Sequence, residues 1–130
     1  MKSHTDLGQS KILVEFLPLE SADMRYEYPS REKDEIQEPM NGFHTSSFNW
    51  FKESDSFIYF PCWSLAALLS VLPKNLNIGR PSLESNYKGY YWIQYYDEFM
   101  KPNNYKTKCY DNPINACYAM ILKLHELNLL

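Results

Sequence analysis

From Asp111 onward, Ile114, Cys117, Tyr118, Ile121, Leu124 and Leu127 recur at helical spacing and make one apolar stripe. Asn112 is placed to cap the first turn, and Pro113 stands at the first helical position, where its missing N–H costs nothing. A second helix is expected from Ser64, a good N-cap, to Pro73, with Leu65, Leu68, Leu69 and Leu72 on its buried face. Trp63 and Leu68 hold the positions of a hydrophobic staple there. A further helix is expected over residues 7–17, with Ile12, Leu13, Phe16 and Leu17 on one side and Pro18 ending it.

Strand patterns lie between these helices. Met24-Arg25-Tyr26-Glu27-Tyr28 alternates apolar and charged residues, and two more strands are expected near Phe43–Phe51 and Ser56–Phe60. Residues 76–83 read as a strand interrupted by Gly79 and Pro81, and Tyr105–Tyr110 as another. Tyr90–Tyr96 has the strongest strand composition in the chain and follows the turn-forming Asn86-Tyr87-Lys88-Gly89. The charged stretch 29–42 reads as an exposed loop within one domain spanning residues 1–130. This order predicts an α+β fold, an antiparallel sheet of about four to five strands with three helices mainly on one face.

Three blocks carry a resemblance. They are Glu20-Ser21-Ala22-Asp23-Met24; Pro61-Cys62-Trp63-Ser64-Leu65-Ala66-Ala67-Leu68-Leu69 with Leu72-Pro73-Lys74; and Asp111-Asn112-Pro113 with Lys123-Leu124-His125-Glu126. In these the chain resembles a group of small proteins of Bacteroides-type gut bacteria, their prophages and mobile elements, for which no activity is established. The blocks are capping and packing motifs, so the resemblance implies provenance and supplies no catalytic residue.

Charge narrows the function classes. The net charge is −3, with residues 1–60 carrying eleven acidic and six basic side chains and the remainder five and seven. That balance argues against a duplex-DNA binder, which needs a basic stripe to displace counterions. Cys62, Cys109 and Cys117 are three in number and include no CxxC pair, poor material for a disulfide framework or a zinc site. Residues 1–20 lack an apolar core followed by a small-residue cleavage site, so no signal peptide is expected, and the cytoplasm is the expected compartment.

Cys62-Trp63-Ser64-Leu65-Ala66-Ala67 is superficially similar to the nucleophile segment of papain-type proteases, since a helix N-terminus favours a thiolate. The supporting parts differ: Phe60-Pro61 replaces the expected Gly-Ser, Ser56 stands where a Gln would, and the only downstream histidine is His125. A Cys62/His125 thiol enzyme is therefore kept as the alternative to a packed cysteine. No metal is expected, because His4, His44 and His125 are scattered; His4 reads as part of a disordered tail and His125 as a dipole-favoured residue ending a helix. Asp34/Glu35 and Asp97/Glu98 lie in polar surroundings that would not raise a carboxyl pKa. The four glycines are isolated, so no nucleotide cofactor is expected.

Tyr90, Tyr91, Trp92, Tyr95 and Tyr96 remain as the candidate binding residues. Alternation sends Tyr90 and Trp92 one way and Tyr91, Ile93 and Tyr95 the other. One face must line the core; the other is free to bind a protein partner or a second copy, with a sheet-edge position adding backbone groups for pairing. Single-stranded nucleic acid is the third reading, from aromatic faces near Lys88, Lys101, Lys106 and Lys108. The expectation is thus a small, non-enzymatic cytoplasmic binding or adaptor protein with no cofactor.

Overall fold

Asp6 starts the first helix through a capping box: its carboxylate accepts from Gln9 N–H at 2.8 Å while the Gln9 side chain accepts from Asp6 N–H at 3.1 Å. The computed structural model that shows this describes residues 2–29 and 57–130. The segment 30–42, the strand expected near Phe43–Phe51, and His44 and Ser56 lie outside the described residues. The described chain is α+β, with helices α1 (Leu7–Leu13), α2 (Leu65–Val71) and α3 (Pro113–Glu126). Its strands are β1 (Met24–Pro29), β2 (Phe57–Cys62), β3 (Arg80–Ser85), β4 (Tyr91–Tyr96) and β5 (Pro102–Lys106). One sheet was expected; the strands instead form two antiparallel sheets, β1-β2 and β3-β4-β5. The chain divides into two compact units, His4–Ala67 and Met1–Ser3 with Leu68–Leu130, the division falling inside α2.

In the first unit β1 pairs with β2 from Met24↔Cys62 to Pro29↔Phe57, and α1 packs against β2. α1 is shorter than the helix expected over 7–17: Val14 caps it and residues 14–17 turn, with Leu13 and Leu17 buried and Ile12 exposed. His4 is not a loose tail. It forms a β-bridge with Ser64, and its ring meets Tyr26 edge-on at 6.2 Å. Ser64 begins α2 as its spacing indicated, its hydroxyl accepting from Ala67 N–H at 3.2 Å. Asp23 holds that cap, accepting from Ser64 N–H at 2.9 Å and from the Ser64 hydroxyl.

The second unit is a three-stranded meander with α3 across β4. Asn112 caps α3, accepting from Asn115 N–H at 2.8 Å, and Pro113 opens it. Ile114, Cys117, Ile121 and Leu124 of the stripe are buried, joined by Ala116 and Met120, while Leu127 lies beyond the last turn and is exposed. β3 begins at Arg80, later than expected, because Asn75–Gly79 closes a turn: Asn75 Oδ1 accepts from Asn77 and Ile78 N–H. Gly79 is required there, with φ +87°, and a Cβ would stand 2.1 Å from the Tyr96 carbonyl oxygen.

The turns on either side of β4 share one design. Asn86 Oδ1 accepts from Lys88 and Tyr90 N–H, and Asp97 Oδ1 accepts from Phe99 and Lys101 N–H. Each closes with a left-handed residue, Gly89 at φ +84° and Met100 at φ +62°.

Candidate functional site

β4 is the central strand of its sheet, so the edge position considered for Tyr90–Tyr96 is not the one it occupies. Alternation then separates the candidates. Ile93 and Tyr95 are fully buried on the face that meets α3. The Tyr95 hydroxyl donates to the Pro73 carbonyl at 2.9 Å, its ring meets Tyr105 edge-on at 6.1 Å, and burial pushes its pKa well above the ordinary tyrosine value. Tyr91 is half-buried, and its backbone exchanges hydrogen bonds with Tyr110 at 2.7 and 2.8 Å. Tyr95 is therefore a core residue, and the available aromatic surface is the opposite face.

That face is built by register. Directly paired residues point the same way, so Arg80↔Tyr96, Ser82↔Gln94 and Glu84↔Trp92 put these six side chains together. β5 adds Lys106 opposite Gln94. Lys106 Nζ stands over the Trp92 ring, 5.8 Å from its centroid. The Tyr96 hydroxyl donates to Glu84 Oε1 at 2.6 Å, and this bond to the carboxylate raises the Tyr96 pKa. Trp92, Tyr96, Ser82 and Glu84 are half-buried, Arg80 and Lys106 exposed. Tyr90, just before the strand, is 45% exposed.

Gln94 sits in the middle of this face yet is only 6% exposed. Between the pairs Gln94↔Lys106 and Tyr96↔Pro102, β4 contributes one residue and β5 three, so the ladder is interrupted by a bulge. The Gln94 amide spans the gap, donating to the carbonyls of Tyr95 at 2.8 Å, Asn103 at 2.9 Å and, more weakly, Tyr105 at 3.5 Å. It is a structural stitch that fixes the surface on which Trp92 and Tyr96 are displayed.

Cys62 lies in the other unit, in a polar cluster that sequence reasoning missed. Thr5 is its hub and is fully buried. The Thr5 carbonyl accepts from the Tyr26 hydroxyl at 2.7 Å and from the Cys62 thiol at 3.4 Å, and Thr5 Oγ1 lies 2.8 Å from Ser10 Oγ. Thr5 Oγ1 also accepts from Trp63 N–H at 3.1 Å, and Thr5 N–H donates to the Trp63 carbonyl at 2.9 Å. Desolvation pushes the Cys62 thiol up to about 11, outweighing its hydrogen bonds with Thr5, so it stays neutral at neutral pH. His125 is an exposed residue in the last turn of α3, in the second unit. The cluster ties the N-terminal segment to the end of β2, and its capping signal, Asp6-x-x-Gln9, was visible in the sequence.

Asp97 is occupied by its turn, while Glu98 is exposed. Among the described residues, no group of three or more His, Cys, Asp or Glu side chains could hold a metal ion. Likewise no described helix is long and apolar enough to cross a membrane. Compared with known proteins, the chain matches no family model, no curated sequence and no solved structure.

Proposed function

We propose that this chain is a small non-enzymatic binding or adaptor protein that engages its partner through the outward face of β3-β4-β5. The observation that supports this reading is Trp92, half-buried on the central strand, with Glu84 as its register partner on β3 and the Lys106 ammonium 5.8 Å from its ring centroid. A large rigid aromatic is the kind of anchor that carries binding energy at protein contacts, and Glu84 and Lys106 stand where a polar rim would lie around it. Free Cys62, Cys109 and Cys117 fit a reducing compartment, and the cytoplasm is the location we propose.

The test is affinity capture from the native host with tagged wild type, Trp92→Ser and Tyr87→Ser. Tyr87 is 95% exposed in the β3–β4 turn and serves as the control aromatic. Partners retained by Tyr87→Ser and lost by Trp92→Ser support the reading; identical capture by all three overturns it. Single-stranded nucleic acid is the second reading, favoured by Lys106 beside the indole; co-purification that survives high salt would place it first.

A further inference from the structure

Three features of the second unit converge on one occupant for this surface. Across the face at Trp92, the order of groups is acid, aromatic, base: Glu84 is its direct neighbour on β3, and Lys106 reaches its ring from β5. A two-fold axis along β4 converts that order into its own complement, bringing Glu84 of one copy to Lys106 of the other and Trp92 against its symmetry mate. An isologous contact requires this property, that residue i meets j while j meets i.

The sheet edges are the second feature. β3 carries Pro81 and β5 carries Pro102 and the bulge, devices that discourage strand-to-strand addition, so association through this sheet is directed to its face. Third, Gln94 is already satisfied by backbone carbonyls, so covering the centre of the face strands no amide donor.

We propose that this face is the contact between two copies of the chain, in a symmetric dimer with Glu84–Lys106 pairs flanking stacked Trp92 side chains. The inference rests on the binding reading above and names its partner. Three strands about 4.8 Å apart and five residues at about 3.3 Å give a face of roughly 15 by 17 Å. That is below the standard interface size, so the dimer is a weak, transient one.

Analytical ultracentrifugation on a charge-swap set tests it. Wild type should show a reversible monomer–dimer equilibrium. Glu84→Lys and Lys106→Glu should each weaken it at least about tenfold, a loss of about 1.4 kcal/mol. The double variant E84K/K106E should regain it, and an equimolar mixture of the two single variants should form a heterodimer. Circular dichroism checks that each variant is folded. If Glu84→Lys loses the Tyr96 contact and unfolds, Lys106→Glu at its exposed position decides alone. Wild type that remains monomeric at about 300 µM, folded single variants that dimerise like wild type, or a folded mixture that stays monomeric would each overturn the dimer. If the dimer fails while Trp92→Ser still loses captured partners, only this inference falls; if capture is also unchanged, the binding reading falls with it.

Discussion

Tyr96 donates its hydroxyl to Glu84 although the register sets Tyr96 opposite Arg80 and Glu84 opposite Trp92. Four strand positions separate the two, about 13 Å at a rise of about 3.3 Å per residue. The Tyr96 and Glu84 side chains therefore reach toward each other along the sheet, across the level of the Ser82–Gln94 pair.

The first prediction is electrostatic. Glu84 raises the Tyr96 pKa, chiefly through the hydrogen bond to its carboxylate. Glu84→Gln should bring that pKa down toward the ordinary value, read as the change in tyrosine ionisation absorbance that Tyr96→Phe abolishes. The sign for stability follows: a folded-state pKa above the unfolded one gives stabilisation that is complete below about pH 10 and lost as pH rises through the folded value. Wild type should lose stability more steeply above about pH 10 than Glu84→Gln does. Identical alkaline limbs would mean the contact does not form in solution.

Gln94 offers a second test. Gln94→Ala would leave the Asn103 and Tyr95 carbonyls without their side-chain donor at the bulge, at a cost of about 1–3 kcal/mol in urea melts. A neutral outcome would show that water serves the gap equally well.

The glycines make a matched pair. Gly79 and Gly89 have nearly the same positive φ, but a Cβ at Gly79 meets the Tyr96 carbonyl at 2.1 Å whereas one at Gly89 meets nothing within 4 Å. Gly89→Ala should cost about 1–2 kcal/mol, the left-handed penalty alone. Gly79→Ala should cost clearly more, because backbone must shift. Equal melting temperatures for the two variants would contradict this packing.

The thiols can be ranked. Cys109 is exposed, while burial raises Cys62 to about 11 and Cys117 to about 12. Iodoacetamide in native buffer should label Cys109 first and leave the other two until the protein unfolds, as followed by mass spectrometry. Fast labelling of Cys62 near neutral pH would instead favour the thiol-enzyme reading.

What the sequence disclosed was local. Asn112, Pro113 and Ser64 act through neighbours three residues away or fewer, so their caps were legible, and so was the strand at Tyr90–Tyr96. Residues whose roles depend on distant partners were not. Thr5 is unremarkable as a letter and becomes a hub only when β2 lies beside it. Gln94 gives no local sign of its role, because the Asn103 and Tyr105 carbonyls it serves lie nine and more positions downstream at the bulge. Whether five strands make one sheet or two is likewise a question of long-range pairing, on which periodicity is silent. The candidate face was half visible: alternation set Tyr90 and Trp92 apart from Tyr91 and Tyr95 but left open which set faced outward, and Glu84 and Lys106 joined Trp92 only through register.

The two turns around β4 differ in one respect that reaches into dynamics. Gly89 adopts its left-handed backbone freely, whereas Met100 does so with a side chain that is 76% exposed. The methionine stores about 1–2 kcal/mol in its turn, which raises the open population of that hairpin end roughly five- to thirtyfold relative to glycine at the same place. Amide exchange should therefore begin at the Asp97–Lys101 end of the meander, where Phe99 and Met100 are exposed.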